Sequence, residues 1–228
     1  AIDLFDGLDV DRQASLVSSM EDPEVIGLIE PLDPDDRARL FEELPAKVTK
    51  RLLASMSPQA RDSVNLLFGY PEGSAGRVMS PRYMAVRGDR TVNEVLSGLH
   101  RSSLRPDEME SIFVIDQERH YLGYVRLGQL IKAKPETAVT ELTQGRDVFA
   151  RTFDPRAEAI DLIMEQDIPV IAVVDNEGRL VGAITFDDAL DMVEEDTTAE
   201  FHRSAFVSTV RTNIKDASIK MLYRARLP

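Results

Sequence analysis

A twelve-residue spacing of apolar residues constrains the first third of this chain. Six side chains mark the spacing: Leu8, Met20, Leu32, Leu44, Met56 and Phe68. Another apolar residue follows each of the first five markers eight positions later. Directly after each of these markers come residues that favour the start of a helix. Helices of two to three turns are too short to be stable alone. The spacing therefore predicts a solenoid of stacked short helices over residues 1–72.

A second, longer repeat occupies the middle of the chain. Residues 113–125 align with residues 172–184 at an offset of 59. Each stretch is typical of a β-hairpin with an Asp in its turn, and each has a helical pattern before and after it. The predicted fold class is therefore α+β and multidomain, with strand–helix–strand–strand–helix units at 77–138 and 139–200. We expect residues 73–76, between solenoid and repeats, to act as a flexible joint.

The longer repeat resembles the CBS domain, a family that occurs in tandem pairs and commonly binds adenine nucleotides. The family's ribose-phosphate motif is Gly, two apolar residues, Thr or Ser, two residues and Asp. The second copy matches it with Gly182, Thr185 and Asp188, and the resemblance also implies Ile168 and Pro169 as nucleotide-binding residues. The first copy has Arg126 in place of the hydroxyl residue. One ATP site at most is therefore expected.

An acidic segment follows the second hairpin. Asp188, Asp191 and Glu195 have the spacing i, i+3 and i+7, which places them on one face of a helix. Like charges at this spacing destabilise a helix, and a divalent cation relieves the repulsion. Carboxylates suit Mg²⁺ or Ca²⁺ better than Zn²⁺. The alternative interpretation is an acidic face that is only solvated.

The charge of the chain is distributed unevenly. The net charge of −13 argues against nucleic acid as a partner. Residues 1–76 carry a net charge of −8 and residues 139–200 a net charge of −12, whereas residues 201–228 carry +5. The apolar residues of this basic end recur at helical spacing, which predicts a basic amphipathic helix. Such a helix could lie next to a membrane span, bind anionic lipid or bind an acidic partner. The absence of cysteine excludes disulfides and thiolate metal sites. The three histidines have no paired nucleophile, so we do not expect an enzyme.

The order of these segments resembles the cytosolic region of MgtE-family magnesium transporters, most specifically over residues 70–81 and 185–200. The resemblance implies a homodimeric Mg²⁺ sensor at the cytoplasmic face of the membrane, joined through a plug helix at 201–228 to its own transmembrane pore domain, which this chain lacks. Its implied metal ligands are Asp167, Asp188, Asp191, Asp196 and Glu200, and the helical spacing described above adds Glu195 as a candidate ligand. Ala199 replaces an acidic residue of the family pattern. Glu42, Glu43 and Asp62 are candidate ligands from the solenoid.

Two other interpretations compete with a magnesium sensor. A nucleotide-sensing CBS module predicts ATP binding that depends on Thr185 and Asp188, and both ligands could bind, because Asp188 belongs to both sets. A ligand-free solenoid scaffold predicts no response to Mg²⁺. Thermal melting with Mg²⁺, Ca²⁺, Na⁺ and ATP distinguishes the three.

Overall fold

The structure is a computed structural model that describes residues 4–193, except residues 6, 9, 21 and 103. The chain divides after Phe186 into two compact units, residues 1–186 and residues 187–228. The predicted plug helix at 201–228 lies outside the described residues.

The solenoid contains five described helices whose first residues are twelve positions apart. They are α1 (Val10–Ser19), α2 (Asp22–Ile29), α3 (Pro34–Glu43), α4 (Ala46–Ser55) and α5 (Pro58–Phe68). Helix α3 packs against both α1 and α5, and α2 packs against α4. Each helix therefore contacts the second helix along the chain, which is how short helices bury a continuous seam. The predicted twelve-residue helical repeat is confirmed.

The marker residues form the core of the solenoid. Leu32, Leu44 and Met56 are buried, and Leu8, Met20 and Phe68 are partly buried against the same core. Most of the apolar residues eight and nine positions after the markers join them, including Val17, Ile29, Leu40, Leu52 and Val64, which are fully buried. Leu16 is an exception, with 40% of its surface exposed.

A buried arginine lies within this apolar core. Arg37, on α3, is 5% exposed. Its guanidinium donates hydrogen bonds to the carbonyl oxygens of Ile29, Glu30, Leu32 and Ala60 and to the hydroxyl of Ser63, over 2.6–3.3 Å. The carbonyl oxygens at the end of α2 have no N–H donor within their own helix, and the guanidinium of Arg37 provides the missing hydrogen-bond donors. Burial lowers the pKa of Arg37. This one side chain ties α2, α3 and α5 together.

The segment after the solenoid is ordered rather than flexible, which corrects the expectation for residues 73–76. It forms a short helix, α6 (Ala75–Val78), whose first two residues are buried. The backbone N–H groups of Ala75 and Gly76 donate to the carbonyls of Asp154 and Thr152, at 2.8 and 2.9 Å. A Cβ at Gly76 would lie 2.7 Å from the Tyr70 ring. Glycine is needed here for close packing and not for mobility.

The two αβ repeats have the predicted element order. The first repeat contains β1 (Ala85–Arg87), α7 (Val92–Leu99), β2 (Ser111–Ile115), β3 (Tyr121–Arg126) and α8 (Leu127–Lys132). The second repeat contains β4 (Phe149–Arg151), α9 (Arg156–Gln166), β5 (Val170–Val174) and β6 (Leu180–Thr185), and a helix, α10, covers residues 186–193. Each three-stranded sheet has one parallel pair, β1 with β2 and β4 with β5, and one antiparallel pair. The predicted fold class is confirmed.

The segments that enter the two repeats are exchanged. Ser80, which precedes β1, pairs with Ala183 on β6 of the second repeat through hydrogen bonds of 2.8 and 2.9 Å. Gln144, which precedes β4, pairs with Tyr124 on β3 of the first repeat at 2.9 and 3.0 Å. Each sheet is therefore extended by backbone from the other repeat.

Candidate functional site

The glycine of the predicted nucleotide motif is packed against another part of the chain. A Cβ at Gly182 would lie 2.3 Å from the sulfur of Met79. In the first repeat, a Cβ at Gly123 would lie 2.4 Å from the carbonyl oxygen of Gln144, and Gly123 has a φ of +133°. Both glycines are required for contact with the exchanged segments, whatever ligand the pair binds.

Three of the predicted nucleotide-binding residues come together where β6 ends. Thr185 is the last residue of β6 and pairs with Val170, the first residue of β5. Ile168 and Pro169 directly precede β5, and the carbonyl of Pro169 accepts a hydrogen bond of 2.8 Å from the backbone N–H of Phe186. The structure thus brings Thr185, Ile168 and Pro169 to the same end of this sheet, as a shared ligand site requires.

Asp167 adopts a backbone conformation that is uncommon for residues other than glycine. It ends α9 in the left-handed region, with φ 49° and ψ 50°, and its side chain is exposed. Aspartate is among the residues that tolerate this conformation best. Its carbonyl oxygen accepts a hydrogen bond of 3.1 Å from Arg126 of the first repeat. Arg126, which replaces the motif hydroxyl in the first repeat, therefore binds protein backbone.

The other predicted metal ligands lie on α10 and beyond it. Asp188 is half-buried and Asp191 is exposed, three positions apart on this helix. Glu195, Asp196 and Glu200 lie outside the described residues. Within the described part of the chain, three or more His, Cys, Asp or Glu side chains do not converge on a point that could hold a metal ion. The predicted magnesium site therefore stays a prediction.

The three solenoid acids proposed as ligands have different surroundings. Glu42 forms an ion pair of 2.5 Å with Arg77 of α6. The guanidinium of Arg77 also lies 4.2 Å from the centre of the Phe68 ring. Glu43 and Asp62 are exposed. The structure thus places Glu42 in the connection between the solenoid and the repeats.

An ion-pair cluster that the sequence did not indicate joins the solenoid to the first repeat. Asp33 pairs with Arg105 at 2.7 Å and with Arg82 at 3.5 Å, and Arg82 pairs with Glu108 at 3.1 Å. Burial raises the pKa of Asp33, while the two arginines oppose that shift. In the sequence, Asp33 is typical of an ordinary helix cap, and its partners are 49 to 72 positions away, so no local pattern could have found this cluster.

The chain has a helical solenoid, two paired αβ repeats and the Gly182–Thr185–Asp188 motif. These features together define a CBS-domain protein with a helical N-terminal domain. The family model described as the MgtE intracellular N domain matches residues 1–73, and the CBS domain model matches residues 75–136 and 140–195. The chain belongs to the MgtE family, and it comprises the N domain and CBS pair of that family.

Curated relatives agree with this assignment. The chain is 36% identical over 178 residues to the magnesium transporter MgtE of Thermus thermophilus. The match covers 78% of this chain and 40% of the relative, so the chain spans less than half of that transporter's length. Among the helices of the described residues, none combines the length and apolar character needed to cross a membrane.

Solved structures also match. The cytosolic domain of the Mg²⁺ channel MgtE, determined in complex with ATP, has a TM-score of 0.78 and 34% sequence identity, and the match covers 84% of this chain and 79% of that one. The soluble part of a magnesium transporter has the same TM-score at 20% identity, with coverage of 86% and 77%. The second likeness establishes the fold alone.

Proposed function

We propose that this chain is the Mg²⁺-sensing regulatory region of a magnesium transporter or channel. It acts at the cytoplasmic face of the membrane, as a homodimer, on a transmembrane pore domain of the same protein. The observation that carries the proposal is the combination of an MgtE N domain with a CBS pair whose last strand, β6, leads directly into the acidic helix α10.

The charge distribution supports a cation-dependent compact state. The segment 1–76 and the segment 139–200 both carry a large surplus of acid. Opposed carboxylates at about 4 Å repel by about 1–4 kcal/mol per pair, according to the effective dielectric constant. Bound Mg²⁺ replaces this repulsion with attraction and favours the compact state by mass action. A pore-closing shift follows when Mg²⁺ binds the two states with different affinities.

The chemistry of the candidate ligands fits magnesium. Asp167, Asp188 and Asp191 offer carboxylate oxygens, which hard divalent cations prefer, and Mg²⁺ usually keeps several water ligands beside one or two carboxylates. A site with few protein ligands is therefore consistent with Mg²⁺. Further ligands can come from Glu195, Asp196, Glu200 or the second protomer.

Thermal melting of the chain tests the proposal. Millimolar Mg²⁺ should raise the melting temperature more than NaCl of equal ionic strength, because a ligand that binds only the folded state stabilises it. Asp188→Ala and Asp191→Ala should each reduce the gain. Glu136→Ala, which removes an exposed acid of the first repeat, is the matched control. An equal Mg²⁺-specific gain in all variants would contradict a site on α10, and an equal gain from NaCl would favour a ligand-free scaffold.

The homodimer part of the proposal has its own support. Ile131 on α8 is 65% exposed and Met164 on α9 is 52% exposed, although both are large apolar side chains on helices of the repeats. A second copy of this chain would cover them. Sedimentation should show a dimer that Ile131→Glu weakens, while Leu66→Glu, at an exposed apolar residue of the solenoid, leaves it intact. A monomeric wild-type chain would overturn the dimer.

ATP is a second ligand that a specific observation favours. Thr185, Ile168 and Pro169 lie at the same end of one sheet. The MgtE cytosolic domain that is 34% identical to this chain was determined in complex with ATP. Calorimetry should give one ATP per chain, because Arg126 occupies the motif hydroxyl position of the first repeat. Thr185→Val should weaken binding and Thr152→Val should not. Two sites, or equal affinity in Thr185→Val, would contradict this assignment.

A further inference from the structure

Both polar positions of the nucleotide motif are changed in the first repeat. Arg126, the last residue of β3, lies 59 positions before the motif residue Thr185, which is the offset at which the two repeats align. By the same offset, Gln129 lies where the second repeat has Asp188. The side-chain oxygen of Gln129 accepts the backbone N–H of Arg126 at 2.9 Å. Gln129 is therefore committed to the start of its own helix, whereas the guanidinium of Arg126 makes its contact elsewhere.

The guanidinium of Arg126 reaches the second repeat. Its Nη2 donates to the carbonyl oxygen of Asp167 at 3.1 Å. Asp167 ends α9 and directly precedes Ile168 and Pro169. These two residues lie with Thr185 at one end of the second sheet. Because the carboxyl end of a helix carries partial negative charge, a cation is favourable there. This cation thus lies beside the predicted nucleotide site, although it comes from the other repeat.

Most of the hydrogen-bonding capacity of this guanidinium is left for another partner. A guanidinium has five N–H donors. Arg126 is exposed, and the bond to Asp167 is the one hydrogen bond that its side chain makes to the residues that the structure describes. Among the same residues, no carboxylate forms an ion pair with it, in contrast to Arg82, which pairs with Glu108. A phosphate group could therefore bind Arg126 without the loss of an ion pair.

The second repeat has few cations of its own near this end of its sheet. Residues 139–200 carry four basic side chains against sixteen acidic ones. Arg151, for example, is in register with Val174, the last residue of β5, whereas the predicted site lies at the first. Arg146 precedes β4. The other two lie at the start of α9 and in the turn before β6, away from Asp167: Arg156 and Arg179. A nucleotide phosphate that approaches this acidic repeat therefore needs a cation from elsewhere.

We propose that Arg126 of the first repeat binds the phosphate groups of a nucleotide held at the second repeat. This inference rests on the proposed ATP site and adds the residue that distinguishes a nucleotide from a nucleoside. A phosphate oxygen makes a charge-assisted hydrogen bond to a guanidinium, which is stronger than the bond that the neutral carbonyl of Asp167 accepts. ATP is therefore preferred over adenosine because of a residue outside the motif of the second repeat.

Calorimetry of the whole chain in EDTA, with ATP and with adenosine, tests the role of Arg126. Arg126→Gln should weaken ATP binding by about tenfold to a hundredfold, because charge-assisted hydrogen bonds are lost, and should leave the affinity for adenosine unchanged. Arg126→Lys keeps the charge without the planar fork and should recover part of the ATP affinity. Arg151→Gln, at an exposed arginine near the other end of the sheet, is the matched control and should bind ATP as the wild type does.

The possible outcomes separate the role of Arg126 from the ATP site itself. A wild-type chain that binds neither ligand would overturn both. Equal ATP affinity in the wild type and Arg126→Gln would overturn the role of Arg126 and leave the ATP site standing. Equal losses for ATP and adenosine would mean that Arg126 only joins the two repeats, and a wild type that binds both ligands equally would have no phosphate contact. A loss of ATP affinity in Arg146→Gln but not in Arg126→Gln would assign the phosphate to Arg146 instead.

Discussion

Met79 packs directly over Gly182, so that a Cβ at position 182 would lie 2.3 Å from its sulfur and 2.7 Å from its Cγ. Met79 belongs to the segment that enters the first repeat, and Gly182 lies on β6 of the second. A contact between two repeats therefore explains a glycine that the nucleotide motif also contains.

Gly182→Ala should destabilise the chain by about 1–3 kcal/mol, the usual cost of overpacking a well-packed contact. Thermal or urea unfolding measures the loss. Met79→Ala in the same chain should recover part of it by removing the sulfur and Cγ, although the two Cβ atoms stay near 3.0 Å. Gly128→Ala on α8, where a Cβ meets nothing within 4 Å, is the control and should not destabilise. Equal effects at the two glycines would contradict this explanation.

Arg37→Met should destabilise the solenoid strongly, on the order of 3 kcal/mol. The change keeps an unbranched side chain but leaves buried carbonyl oxygens without donors, and an unpaired buried polar group costs about 1–3 kcal/mol. Unfolding followed by circular dichroism gives the value. Arg39→Gln, at a partly exposed arginine paired with Asp36 on the same helix, should change stability by less than about 1 kcal/mol. If Arg37→Met is as mild as Arg39→Gln, the arginine does not tie the three helices together.

Ser111→Ala should leave stability unchanged or increase it slightly. The Ser111 hydroxyl is buried, with no hydrogen-bond partner among the residues that the structure describes. Removing an unsatisfied group loses no bond. The equivalent position of the second repeat is Val170. Ser74→Ala is the matched comparison, because the buried Ser74 hydroxyl donates to the Pro71 carbonyl at 2.7 Å, and it should cost about 1 kcal/mol. A larger loss at Ser111 than at Ser74 would reveal a bound partner.

The pKa of Asp33 predicts a pH dependence of stability. Burial raises this pKa above the ordinary value of 3.8, Asp36 adds to the rise, and Arg105 and Arg82 oppose it. A carboxyl with a raised folded-state pKa contributes stability that is full below its unfolded pKa and is lost as the pH rises through the folded pKa. Asp33→Asn removes this dependence.

Unfolding of wild type and Asp33→Asn across acidic pH measures the difference. Relative to the wild type, Asp33→Asn should gain stability as the pH rises from about 3.8. A constant difference would mean that the arginines cancel the effect of burial, and a change in the opposite direction would mean that they outweigh it.

Patterns with a fixed period could be predicted from the sequence. The twelve-residue spacing located five helices by their first residues, and the 59-residue offset located two sheets of the same topology. Such patterns are local, since each residue reports the helix or strand that contains it. Asp188 and Asp191 lie on α10, and Thr185 and Pro169 lie at the same end of one sheet, but the ligand-binding roles assigned to these residues stay predictions.

Contacts between distant segments could not be predicted in this way. Asp33 and Pro34 indicated a helix start, but nothing nearby showed that the carboxylate would pair with Arg105. Residues 73–76 resembled a flexible joint because glycine tolerates both mobility and close packing. Only the position of Tyr70 and Thr152 decides between the two. Likewise, nothing in the sequence around Arg37 indicated that its guanidinium would bind backbone carbonyls from other parts of the solenoid.

Each repeat contributes backbone to the sheet of the other repeat, because Ser80 pairs with Ala183 and Gln144 pairs with Tyr124. Neither sheet has its full complement of hydrogen bonds until the other is present. A chain cut between the repeats would leave two unfinished edges, so the pair is the smallest part that can fold as it does here. A ligand that displaces one entering segment therefore removes backbone hydrogen bonds from the sheet of the other repeat, without any movement of a hinge.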